Sequence, residues 1–252
     1  MGRQVEIKSA SEIALMREAG RIVREILDAL EAMAAPGVTT WDLDRVAEDL
    51  TRKKGAKPAF KGYLGYPAVL CASVNEQVVH GIPSKKRKLR EGDLLKIDFG
   101  VSFRGFFGDS ARTVGIGTPS EEAQRLSAAT RAALEKAIDV VGPGRRVGDI
   151  GAAVQEFVEA RGYSVVRDFT GHGIGRALHE APQVPNFGRP GEGTRLLPGM
   201  ALAIEPMVNA GTHEVLVLDD DWTAVTRDGR LSAHFEHTVL VTEHGGEVLT
   251  RG

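Results

Sequence analysis

At 252 residues, with 42% hydrophobic and 26% charged side chains, the chain is long enough for a sizeable core and far from a disordered composition. A net charge of −2 gives no general pull toward DNA or anionic lipid, and no stretch approaches the ~18 apolar residues of a membrane span. One cysteine, Cys71, cannot close an intramolecular disulfide, and the N-terminal twenty residues lack the apolar run of a signal peptide, so the chain reads as cytoplasmic.

Ser9-x-x-Glu12 has the pattern of a capping box. Beyond it Ile13, Met16, Val23, Ile26, Leu27 and Leu30 recur at helical spacing until Pro36-Gly37 stops them. A second helix is predicted from about Thr40 to Gly55, then strands over 68–74, 94–101 and 106–114. Thr118-Pro119-Ser120-Glu121 opens a third helix, through Leu126, Leu134 and Ile138 to Pro143-Gly144. A fourth helix reaches Gly162, and further strands are predicted near 201–208, 215–218 and 236–241.

This order repeats. A shift of 107 residues lays Pro36-Gly37 on Pro143-Gly144, Asp42-Leu43 on Asp149-Ile150, Gly55 on Gly162 and Ile97-Asp98 on Ile204-Glu205. With compensating gaps, His80-Gly-Ile-Pro83 meets His179-Glu-Ala-Pro182. The expectation is one domain, 1–252, of two related halves, about 9–114 and 118–241, with a site in the cleft where Asp98 and Glu205 face each other.

The acids stand where acids are costly. Asp98 ends the run Leu-Leu-Lys-Ile, Glu205 follows Ala-Leu-Ala-Ile, Asp109 follows Gly-Phe-Phe-Gly, and Glu236 precedes Thr-Val-Leu-Val. Strand parity puts Gly100 beside Asp98, and Ala201 and Ala203 beside Glu205, leaving room at each carboxylate. Any one of them could be a salt bridge, but four together would repel, and only Lys96, Arg112 and Arg176 are near enough in sequence to pair them. Divalent metal resolves the difficulty. His172, between glycines in Thr-Gly-His-Gly-Ile-Gly, adds an imidazole to an oxygen-rich, thiolate-free donor set. Two such ions sharing carboxylates would hold a hydroxide and polarise a carbonyl, which is hydrolysis.

The segments Lys96-Ile-Asp98-Phe-Gly, Gly108-Asp109-Ser, Gly171-His172-Gly-Ile-Gly, Ile204-Glu205-Pro206-Met and Phe235-Glu236-His237-Thr resemble, in order and spacing, the five metal-ligand motifs of type I methionine aminopeptidases. The resemblance runs from about residue 5 to residue 250. It implies an α+β pita-bread fold, two pseudo-symmetric halves around a central antiparallel sheet. It also implies a centre of two divalent ions (cobalt, manganese, iron or zinc) on Asp98, Asp109, His172, Glu205 and Glu236, with Asp109 and Glu236 bridging. Glu205 doubles as general base, while His80 and His179 contact the substrate near the scissile amide.

Tyr63, Tyr66, Cys71, Leu178 and Trp222, with Phe60 nearby, resemble the pocket for the methionine side chain. Leu178 stands where the family usually has phenylalanine, and Ala181 where a second glutamate is usual, which leaves the pocket's shape open. A monovalent cation near Asn75, Gln77 and Ser232 is a further family feature. The substrates implied are N-terminal Met peptides of nascent chains, met by a monomer with no DNA or membrane partner. The basic run Lys85–Arg90 reads first as a solvated loop and second as a transient ribosome contact. Two rival functions remain: a proline-specific peptidase of the same fold, and a metal-free interaction module.

Overall fold

The structure is a computed structural model that describes residues 5–251. Helix α1 (Ala10–Met33) starts where Ser9 donates its backbone N–H to the Glu12 carboxylate at 2.7 Å. Its stripe of Met16, Val23, Ile26, Leu27 and Leu30 is buried, as the spacing predicts. Helix α2 (Thr40–Lys53) is capped by Thr39, whose hydroxyl accepts from Asp42 N–H at 3.1 Å. Strands β1 (Lys57–Pro58), β2 (Cys71–Val74), β3 (Gln77–Val79), β4 (Leu94–Phe103) and β5 (Phe106–Gly115) complete the first half. The strand predicted over 68–74 begins only at Cys71, because Val69 and Leu70 give their N–H groups to Asp44 Oδ1 of α2, at 2.8 and 3.1 Å.

The second half opens with α3 (Glu121–Asp139) and α4 (Val147–Glu159). Strands β6 (Ser164–Val165), β7 (Gly171–Gly173), β8 (Glu180–Val184), β9 (Ala201–Ile204) and β10 (Met207–Asn209) follow. The chain ends in β11 (Val215–Val217), β12 (Ala224–Thr226), β13 (Ser232–His234), β14 (Glu236–Thr242) and β15 (Gly245–Val248). The single strand predicted near 201–208 is two. Pro206 has no N–H to give a ladder, and the chain leaves the main sheet there.

The main sheet has the order β1-β4-β5-β14-β9-β7-β8, with β2 beside β4 and β15 beside β14, all antiparallel. About the β5–β14 seam, β4 and β9 stand at equivalent places. The 107-residue shift recurs in the coordinates: bridges Thr39↔Lys88 and Arg146↔Arg195, and N–H to O bonds Leu89→Val38 and Leu196→Arg145 at 2.8 and 2.9 Å. Gly37 and Gly144 take φ of 92° and 82°, and Gly92 and Gly199 take 88° and 90°, left-handed values that suit glycine. One apolar core lies under α1 and α2 against β2 and β4, a second under α3 and α4 against β9 and β14. This is the pita-bread fold: Ile97 and Phe99 of β4 and Leu202 and Ile204 of β9 face the helices, so the alternate residues, Asp98 among them, face the other, inner side of the sheet.

Candidate metal centre and cleft

Register assembles the acids. Asp98 stands opposite Ala111, and Ala111 opposite Glu236; Gly100 stands opposite Asp109. Farther along the sheet, Thr238 faces Ala203, and Ala203 faces His172. Side chains two apart share a face, so Asp98, Asp109, Glu236 and His172 all project to one side, separated by alanine and glycine. Thr238 locks this register: its hydroxyl accepts from Asp109 N–H at 3.0 Å and donates to Asp109 O at 2.8 Å. Glu205 sits at the corner where β9 gives way to β10, its carbonyl accepting from Asn186 Nδ2 at 3.0 Å.

One donor atom from each of Asp109, His172 and Glu236 lies within 4.8 Å of the other two. Among the described residues, Asp98 Oδ1, Asp109 Oδ1 and Glu236 Oε1 are buried without a hydrogen-bond partner. No lysine or arginine among them forms a salt bridge with the four acids: Lys96 donates to the Asn75 carbonyl at 2.7 Å, Arg112 pairs with Asp28 and Glu31, and Arg176 with Glu12. Burial therefore drives Asp98 up to about 7, and burial with mutual repulsion raises Asp109, Glu205 and Glu236 well above the carboxylate range. His172 is held down to about 3 by burial; its Nδ1 donates to Gly173 O at 2.9 Å, which leaves the Nε2 lone pair for the cluster. Buried oxygens that lack donors, beside a neutral imidazole, fit a divalent cation. Cys71 stands opposite Asp98, but burial pushes its thiol up, so it adds no thiolate.

The cluster floors a cavity of about 250 Å³. Phe60, Tyr63, Leu64, Tyr66, Cys71, Leu178 and Trp222 wall it, and His80 and His179 reach in. The five ligand candidates, the two histidines and the pocket residues picked from the sequence all line this one cavity, whereas Asn75, Gln77 and Ser232 lie outside it. A wider depression beside Arg24 and Arg131 has its acids Asp28, Glu31 and Glu135 paired with arginines and lacks this chemistry. His80 follows β3 at φ 60°, packs edge-on against Phe169 at 5.3 Å, and is held down to about 4 by burial. His179 Nδ1 lies 2.8 Å from the Tyr63 hydroxyl, with its ring 4.1 Å from that of His172. Tyr66 donates to the Leu70 and Gly81 carbonyls, 3.1 Å from each, and meets Trp222 edge-on at 5.0 Å.

At the position expected for a monovalent cation, a lysine ammonium already approaches Asn75, one of the three residues named for it. The Asn75 carbonyl already accepts from Lys96 Nζ at 2.7 Å and Ser232 N–H at 3.1 Å, which fills its two lone pairs. Sequence reasoning also missed three groups. Leu64 forms the exposed rim of the cavity, and only its bracketing glycines, Gly62 and Gly65, hint at it. Asp44 ties α2 to the approach to Cys71, and its burial on a helix is visible only in three dimensions. His234 lies 3.8 Å from Glu205, behind the cavity, and its sequence neighbourhood does not single it out.

Four carboxylates, Asp109 and Glu236 buried and Asp98 and Glu205 half-buried, with an imidazole on the inner face of a sheet of this topology, make a candidate metal centre. The model for metallopeptidase family M24 matches residues 14–243, and the chain belongs to that family. It is 53% identical over 244 residues to the methionine aminopeptidase of Clostridium acetobutylicum, spanning 97% of this chain and 98% of the relative. It is 48% identical over 244 residues to methionine aminopeptidase 1 of Bacillus subtilis, with the same coverage. The crystal structure of methionine aminopeptidase from Thermotoga maritima superposes with a TM-score of 0.97 at 48% identity, covering 99% of this chain and 100% of that one. Prolidase from Pyrococcus furiosus, at 24% identity and TM-score 0.79, shares the fold over 98% of this chain and 65% of its own.

Proposed function

We infer that the chain is a methionyl aminopeptidase, hydrolysing the bond after an N-terminal methionine on peptides and nascent chains. The observation that carries this is the set of four acids and His172, with buried oxygens of Asp98, Asp109 and Glu236 lacking hydrogen-bond partners, beneath an apolar cavity lined by Tyr66, Cys71, Leu178 and Trp222. Asp98, Asp109, His172, Glu205 and Glu236 would hold two divalent ions, cobalt, manganese, iron or zinc, with Asp109 and Glu236 shared between them. When bound, such ions supply Lewis acidity and a nucleophilic water at neutral pH.

The chain's own groups supply the rest. Glu205, at the edge of the cluster, takes the proton of the attacking water. His179 Nδ1 shares a 2.8 Å hydrogen bond with the Tyr63 hydroxyl, which holds the ring in the cavity, where His179 stabilises the substrate carbonyl as charge develops. His80, neutral at pH 7, faces the scissile amide from the other side. The apolar wall accepts an unbranched thioether and excludes charge, and Leu178 leaves space that widens tolerance at the second position beyond small residues. The enzyme acts as a cytoplasmic monomer and one catalytic domain of two related halves, without DNA or membrane partners. Lys85, Lys86, Lys88 and Arg90 are exposed, with Leu89 buried beneath them, and are available to ribosomal RNA.

The prolidase reading is not favoured, since that likeness is one of fold at low identity. The metal-free module is not favoured because all five candidate ligands are present. The test is a panel of Met-X-Gly-Gly and Y-Ala-Gly-Gly peptides, with the metal-reconstituted enzyme and released amino acid measured. Methionine release with X of Gly, Ala or Ser is expected. Efficient release of Leu, Arg or Glu would remove the methionine assignment, and cleavage only ahead of proline would favour the rival.

A further inference from the structure

The Glu205 carboxylate stands between two imidazoles. Its Oε1 is 3.6 Å from His172 Nε2, and its Oε2 is 3.8 Å from His234 Nε2. The two rings are not equivalent. His172 spends its N–H on the Gly173 carbonyl, so its Nε2 carries a lone pair and has no proton to give Glu205. His234 lies behind Glu205, outside the cavity lining, 1% exposed, and neither ring nitrogen has a hydrogen-bond partner. Its main chain is clamped to β5: Thr113 Oγ1 donates to His234 O at 2.7 Å and accepts from His234 N–H at 2.9 Å. A ring so fixed keeps one N–H and one lone pair unspent beside a carboxylate.

We propose that His234 is a positioning residue whose Nε2–H closes on Glu205 Oε2. That turns Oε1 toward His172 and the metal-binding cluster, and rests on the role given to Glu205 above. The separation exceeds an N–H···O bond by about 0.8 Å. A carboxylate torsion of broad preference spans that gap, while Asn186 holds the Glu205 carbonyl and keeps the strand end in place. The rear oxygen is then fixed by a donor and the front oxygen is left for the ion or the proton, the usual division of labour around a ligating carboxylate.

The test compares His234→Leu, which keeps bulk without a donor, with His234→Gln, which can donate from its amide. Manganese affinity is read by competition between the reconstituted enzyme and a chelator, alongside melting temperature and the kcat and KM for Met-Ala-Gly-Gly. His234→Leu is expected to weaken metal binding by about 10- to 100-fold and to lower kcat more than it raises KM, with His234→Gln restoring most of both. Wild-type affinity in folded His234→Leu overturns the proposal, and so does a glutamine variant as impaired as leucine. If His234→Leu does not fold, His234→Asn replaces it, its amide being too short to reach, and equal affinities for Asn and Gln are the overturning result. Because affinity needs no substrate, failure of the peptidase reading leaves this outcome separately legible. A Glu205→Gln control that binds metal like wild type would remove the ligand role of Glu205 and the proposal with it.

Discussion

Adding one methyl group at Gly100 tests the centre most directly. Gly100 stands opposite Asp109 across the β4–β5 ladder, and a Cβ there would lie 3.1 Å from each of Asp109 Oδ1, Ala59 Cβ and Phe60 Cε1. Comfortable contacts are about 3.5–4.0 Å, so the methyl is roughly 0.4–0.9 Å too close to three atoms at once. Ala59 and Phe60 are packed among buried neighbours, whereas Asp109 Oδ1 has no hydrogen bond to hold it, so the carboxylate gives way. Ligand distances tolerate about ±0.2 Å, and a shift of a few tenths of an ångström takes the oxygen out of bonding range. We expect Gly100→Ala to cost about 1–3 kcal/mol of stability from overpacking and, separately, at least ~10-fold in metal affinity, about 1.4 kcal/mol. Gly142→Ala is the control: its Cβ would meet nothing nearer than 3.6 Å, and a change within ~0.5 kcal/mol is expected. Chelator competition measures the affinity and metal-free melting the stability. A folded Gly100→Ala that binds metal as wild type does would refute the placing of Asp109 against the ion.

Three further outcomes are expected. His179→Ala should keep its metal, by elemental analysis, and lose ~10²–10³ in kcat; loss of metal there, with retention in His172→Ala, would reverse the two histidine roles. In metal-free protein the folded state holds protons on Asp98, Asp109, Glu205 and Glu236 that the unfolded chain releases above about pH 4, so stability falls as pH rises. Between about pH 7.5 and 8.5 the buried histidines are essentially neutral in both states, Asp109, Glu205 and Glu236 still drive the fall, and Lys96, held near 7, opposes it; a melting temperature that climbs across that interval without metal would contradict this. Exchanging choline chloride for potassium chloride at fixed ionic strength should leave melting unchanged, because Lys96 Nζ and Ser232 N–H already fill the Asn75 carbonyl, and a potassium-specific rise would restore the ion there.

The helices were legible because their signals are local. Ser9 and Glu12 at the start of α1, and the glycines past the helix ends, act within one or two turns, and the buried stripe of α1 follows from spacing alone. Strand ends were less so, since a side chain from elsewhere can take the hydrogen bonds a strand would use. Asp44, 25 residues upstream, removes Val69 and Leu70 from β2, and Pro206 splits the strand predicted near 201–208. Short strands such as β7 and β13 carry almost no periodicity and exist because neighbours offer them a ladder.

The site was legible for a different reason. A carboxylate in an apolar strand is costly wherever the strand goes, so Asp98, Asp109, Glu205 and Glu236 declare themselves before any contact is known. Parity then places Gly100 and the alanines beside them without a structure. His234 carries no such signal. It stands two residues from Glu236, in a segment where a histidine could point to water as readily as to Glu205, and only β13 pairing with β10, with Thr113 gripping its main chain, turns its ring inward. Groups whose cost is set by their own chemistry can be read from the chain. Those whose meaning depends on which neighbour the fold brings up cannot, and for that reason the groups that orient a centre are harder to read than those that bind.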